Sequence, residues 1–166
     1  MATLTAIENS GFGIWVRESG SVWSYPTIIF LHSLGLAFLV GMNVVLALRL
    51  LGLAPRIPIS ALERLYPIMW AGFWINAASG VALAIADAST MFISTLFYLK
   101  LGLIAAAVVN MVCIRRYVFA HPRIDRVAVP ASARLMATLS LVLWAGAITA
   151  GRLTAYIGPA VALKGR

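Results

Sequence analysis

His32, Lys100 and Arg152 are the side chains best suited to chemistry in this sequence, and each lies within or at the margin of a long apolar stretch. His32 stands in YPTIIFLHSLGLAFLVGMNVVLALRLLG, residues 25–52, where there is no water to solvate an imidazole. A neutral imidazole in such a place either ligates a metal or haem iron, or hydrogen-bonds a neighbouring helix. Lys100 and Arg152 are cations without a carboxylate at comparable depth, since Asp87 closes the second apolar stretch and Glu18 precedes the first. An unpaired Lys or Arg near mid-helix costs roughly 2.5–3.5 kcal/mol on the insertion scale. Such cations snorkel to the surface, or they hold an anion that comes from outside the chain.

Haem b meets both demands, with His32 as axial ligand and Lys100 and Arg152 on the propionates. A second histidine is lacking at that depth, because His121 belongs to a basic connection and reads as a solvated loop residue. The iron is then five-coordinate, takes a methionine, or shares a ligand across a dimer. A quinone is the alternative ligand, its carbonyl oxygen bonded by His32 and Lys100. Copper fits less well, because Met42, Met69, Met91, Met111 and Met136 are scattered and form no Met-rich motif. The same residues have a plainer reading: His32, Asn43, Asn76 and Asn110 as interhelix hydrogen-bonding groups, and Lys100 and Arg152 as snorkelling anchors.

These side chains need a scaffold that brings them to one depth, and the composition indicates which. The chain has 166 residues, 62% hydrophobic and 11% charged. A soluble domain of this size leaves too much surface exposed to hide so much apolar side chain. Several runs exceed about 18 apolar residues, enough to span a bilayer as a helix. The expected fold is an all-α, polytopic bundle of four transmembrane helices near residues 24–50, 66–86, 92–117 and 133–157, a single membrane domain. The net charge of +8 does not point to nucleic acid, because the basic residues lie between the apolar stretches. Residues 1–22 lack the basic start of a signal peptide and carry Glu8, Arg17 and Glu18 around Ile14, Trp15 and Val16, which suits an outer interfacial segment. Cys113 stands alone and no CxxC or CxxCH occurs, which disfavours covalent haem and thiolate zinc.

The first and third connections carry Arg49, Arg56 and Arg64, then Arg115, Arg116, Arg123, Arg126 and Arg134. The positive-inside bias makes these connections cytoplasmic and turns both termini outward. His32 and Lys100 then lie at similar depths, about 8 residues or roughly 12 Å from the outer ends of their helices. Arg152, Asn76 and Ser79 fall in the same outer half, so four helices feed one polar layer. Trp15, Trp23, Tyr25 and Tyr156 read as an outer aromatic belt, and Gly35, Gly72, Gly80, Ala147 and Gly151 as close-packing positions.

The scaffold also looks duplicated. Sliding the chain by 67 residues aligns Leu34-Gly35-Leu36 with Leu101-Gly102-Leu103, Asn43 with Asn110, and Pro55-Arg56-Ile57 with Pro122-Arg123-Ile124. With seven more residues in the third connection, Trp70-Ala71-Gly72 meets Trp144-Ala145-Gly146. This describes two hairpins related as a parallel repeat. The partners of His32 and Lys100 in that alignment are Leu99 and Ser33, so the frame repeats while the polar groups do not.

The succession WSYPTIIFLHSLGLAFLVGMNVVLALRLLG, LYPIMWAGFWINAASG, FYLKLGLIAAAVVNMV and GRLTAY resembles a family of small four-helix bacterial inner-membrane proteins. The resemblance covers about residues 10–157 and implies the fold and a bacterial inner membrane, but no activity. More remotely, the histidine of LHSLGLAFLVG with a lysine in a later span resembles CopD-like membrane proteins and HemJ-type protoporphyrinogen oxidases. That likeness implies His32, and less directly Lys100, as haem, porphyrin or metal contacts. The histidine strings and Trp-Arg elements of the HemJ type are absent. The resulting expectation is a bilayer protein with a haem- or quinone-binding redox site, against a non-enzymatic subunit or scaffold of a homo-oligomer or larger membrane complex.

Overall fold

The computed structural model describes residues 2–120, 124–125 and 128–164, and side chains as far as Thr154. Its described elements are helices: α1 (Ala2–Glu8), α2 (Gly11–Glu18), α3 (Tyr25–Leu50), α4 (Tyr66–Ala86), α5 (Ala88–Met91), α6 (Thr95–Val118) and α7 (Ala131–Lys164), with a 3-10 segment Ser60–Leu65 leading into α4. Four helices are long and apolar enough to cross a membrane: Tyr25–Leu50, Ser60–Ala86, Thr95–Val118 and Ala131–Thr154. The protein is an all-α bundle. His121, Arg123 and Arg126 lie outside the described residues, as does the side chain of Tyr156.

Local chemistry sets the helix ends. Proline occupies the first turn of both α3 and α4, where its missing N–H costs no helical bond. After α3 the chain turns through Gly52 at φ +104°, its N–H bonding Arg49 O while Leu53 N–H reaches Leu48 O. That pair of bonds is a Schellman ending, and its left-handed position suits glycine. Past the turn, Arg49 donates to the carbonyls of Pro55 and Ile57, tying the connection back to the helix. Ser60 fastens the first connection to the third, both its amide and its hydroxyl donating to the Asp125 carboxylate.

The long helices pack as two hairpins, α3 with α4 and α6 with α7, joined mainly along α3 and α7. Gly35 and Gly72 let the first pair touch backbone to backbone: a Cβ on Gly35 would stand 2.6 Å from Asn76 N and 2.8 Å from Gly72 O. Without a hydrophobic force between helices in lipid, such contacts and interhelix hydrogen bonds supply the adhesion. Asn43, 1% exposed, accepts from the Ser140 hydroxyl and donates to Met69 Sδ at 3.5 Å, linking α3, α4 and α7. Asn110 donates to Met136 O at 2.9 Å. Each asparagine thus meets a methionine 26 residues further on, and the two pairs are offset by 67 residues. Tyr66 closes α4 against α6 by donating to Met111 O at 3.2 Å, with its ring edge-on to Phe119.

The main buried cluster includes Leu39, Leu46, Leu50, Tyr66, Met69, Met111, Ile114 and Trp144. It fills the middle of the bundle and the end that carries the arginines. At the other end α1 and α2 cap the bundle. Arg17 donates to Ala86 O at 3.2 Å, and Glu8 accepts from the Ser89 amide at 2.9 Å and pairs with Arg17 at 3.3 Å. The expected interfacial segment is two short helices, α1 and α2, and the turn at Asp87 continues as α5.

Candidate functional site

His32 is half-buried on α3, one turn before Gly35, where the α3–α4 contact is closest. Its Nδ1 stands 3.1 Å from Asn76 O and 3.1 Å from Ser79 Oγ. Asn76 returns the contact, its side-chain amide donating to His32 O at 2.8 Å. A carbonyl only accepts, so Nδ1 carries the proton. Ser79 is free to accept as well, because its own hydroxyl hydrogen goes to Ile75 O at 2.6 Å. In the neutral imidazole the lone pair is therefore on Nε2. Gly80 backs the same edge of the ring: a Cβ there would lie 3.2 Å from His32 Cε1 and 3.6 Å from Nδ1. The Nδ1–Cε1 edge of the ring therefore lies against α4. Among the described residues Nε2 has no hydrogen-bond partner.

Lys100 faces this arrangement from the second hairpin. It is half-buried on α6, with its Cδ, Cε and Nζ along Gly151 of α7, 3.4–3.6 Å from where a Cβ would be. An alanine at 151 would make ordinary contact with the Lys100 chain, and a side chain longer than that would crowd it. The ammonium lies within electrostatic reach of His32 and has no hydrogen bond or ion pair among the described residues. A half-buried cation without a counter-charge is costly in an apolar surround, so an anion or a strong acceptor there is favoured.

The structure thus brings His32, Asn76 and Ser79 into contact and sets Lys100 nearby. Arg152 does not join them: it is exposed on α7, one residue beyond the glycine that faces Lys100. One step along a helix rotates a side chain by about 100°, which takes Arg152 off that face. Its placement suits an anchor at the surface. Among the described residues, no group of three or more His, Cys, Asp or Glu side chains comes together for a metal.

Trp144 is a further polar group that the sequence did not single out. It is 2% exposed, and its indole N–H is buried without a partner among the described residues. It lies one turn along α7 from Ser140, which bonds Asn43, and about two turns before Gly151, which supports Lys100. Buried N–H groups are seldom left unpaired. Nothing in a hydropathy pattern separates such a tryptophan from a packed one. Comparison with family models, curated proteins and solved structures found no match for the chain.

Proposed function

We propose that this integral membrane protein holds a redox ligand between its two hairpins in the polar half of the bundle, and that the ligand is haem b on His32 Nε2. One observation carries the reading: both acceptors on the imidazole sit at Nδ1, which fixes the tautomer and leaves the Nε2 lone pair unused. A backbone carbonyl on one ring nitrogen is a common way to orient the other toward a metal. The residues fit the group in two further respects. Lys100 supplies an uncompensated cation for a propionate, and the main hydrophobic cluster fills the middle of the bundle and its arginine-bearing end.

When bound, haem supplies one-electron transfer in a low-dielectric layer. His32 would ligate the iron, Asn76 and Ser79 hold His32, and Lys100 would neutralise a carboxylate. Arg152 enters only as a cation at the nearby surface. The arginine-rich connections orient the protein with both termini outward, in a bacterial inner membrane as the family resemblance implies.

Quinone is the second reading, and the pairing of an acceptor at Nε2 with a donor at Lys100 Nζ favours it. That pair bonds a quinone carbonyl through the lysine or a quinol hydroxyl through the imidazole. The reciprocal His32–Asn76 bonds also suffice to pin α3 to α4, as they would in a non-enzymatic subunit of a larger complex. An oxidised and dithionite-reduced visible spectrum of the detergent-purified protein separates the three, run beside a solvent extract analysed for quinone. A Soret band supports haem, a stoichiometric quinone supports the second reading, and neither leaves the packing role.

A further inference from the structure

The end of the bundle opposite His32 exposes Arg56, Arg64, Arg115, Arg116 and Arg134. Its cations are all arginines, since Lys100 and Lys164 are the chain's lysines. A guanidinium presents a planar fork that matches phosphate oxygens in pairs, which an ammonium does not. The described acids at this end are Glu63 and Asp125, and Asp125 is already engaged by Ser60.

Arg115 differs from its neighbours in being held. Its guanidinium carbon lies 5.3 Å from the centroid of the Tyr66 ring. That ring is 1% exposed and is itself fixed by the hydroxyl bond to Met111 O. Glu63 meets Arg115 at Nε, 3.7 Å away, and the two terminal nitrogens of the fork have no partner among the described residues. The platform lies where α4 leaves its 3-10 segment, and apolar side chains such as Ile68 and Leu135, 41% and 70% exposed, flank that end of the bundle. A phosphate carried on acyl chains satisfies the fork and covers those side chains together, and a free phosphate does only the first.

We propose that the arginine-rich end carries a binding site for the phosphate headgroup of an anionic phospholipid, with the Tyr66-supported Arg115 at its centre. Glu63 competes with the headgroup for the same guanidinium. The site is independent of whatever occupies the His32 layer.

The test is native mass spectrometry of the full chain in detergent, titrated with phosphatidylglycerol or with phosphatidylcholine of the same acyl chains, with inorganic phosphate as competitor. Phosphatidylglycerol is expected to be retained well above phosphatidylcholine. Arg115→Lys keeps the charge and loses the fork and the stack, so it should weaken phosphatidylglycerol by about fivefold, and Arg116→Lys by less than about twofold. Glu63→Gln should strengthen binding, an opposite sign that a damaged fold does not produce. Equal retention of the two lipids, equal loss in the two lysine variants, weaker binding in Glu63→Gln, or full displacement by an equal concentration of phosphate would each overturn the proposal.

Discussion

Gly35→Ala is the substitution that tests most directly how the scaffold positions His32. The added methyl would lie 2.6 Å from Asn76 N and 2.8 Å from Gly72 O, and both are backbone atoms that cannot swing aside. Ordinary contact begins near 3.4 Å, so the helices must separate by up to about 0.8 Å at this point. The His32 Nδ1 to Asn76 O distance of 3.1 Å then opens toward about 3.9 Å, beyond hydrogen-bonding reach. Overpacking of this kind costs about 1–3 kcal/mol. The repeat supplies a matched control, because Gly102 occupies the corresponding place on α6 and a Cβ there meets nothing within 4 Å. Thermal melts of the full chain in one detergent should show Gly35→Ala clearly destabilised. Gly102→Ala should match the native protein or exceed it slightly, since alanine is the better helix former. Equal melting of the two variants would refute close α3–α4 packing as the device that sets the imidazole.

Two other consequences can be measured on the same protein. Ser140→Ala leaves the buried Asn43 carbonyl oxygen without its donor and should lower stability by about 1–2 kcal/mol, while the exposed Thr138→Ala, whose hydroxyl bonds only its own helix, stays within about 0.5 kcal/mol on the same melts. The Ser89 bonds to Glu8, reinforced by Arg17, hold its carboxyl below its ordinary value of 4.5. A depressed folded pKa means that docking of α1 is fully supported above pH 4.5 and is lost as pH falls through the lower folded value. The protection factors of residues 2–18, corrected for the intrinsic pH dependence of exchange, should therefore fall on acidification in the native protein, and Glu8→Gln should show low protection already at neutral pH with little further change. An acid response that persists in Glu8→Gln would assign it to another group.

The long helices were legible because hydropathy over some twenty residues is a strong signal, and Pro26 and Pro67 mark where the first two begin. The asparagines were readable as interhelix groups, and the structure uses Asn43, Asn76 and Asn110 in that way. His32, Asn76 and Ser79 were assigned to one layer by depth alone, but depth says nothing about direction around a helix. That is why Arg152 could be placed at the right height yet faces outward, while its neighbour Gly151 takes the contact with Lys100. The unpaired indole of Trp144 depends on which side chains surround it, information that no single helix carries. The capping of α4 and α5 by Glu8 and Arg17 joins positions 69–81 residues apart, with no local pattern to announce it.

The decisive measurement is the Soret absorbance per polypeptide of the native protein and of His32→Ala, both purified from haem-replete cells and matched for elution and melting. Removing the imidazole should cost only about 1–2 kcal/mol of helix association, so the variant is expected to fold. A Soret band present in the native protein and lost in folded His32→Ala is the predicted result. A folded variant that keeps the band, or a colourless native protein, would contradict haem ligation at His32 and leave quinone binding or a fastening between α3 and α4.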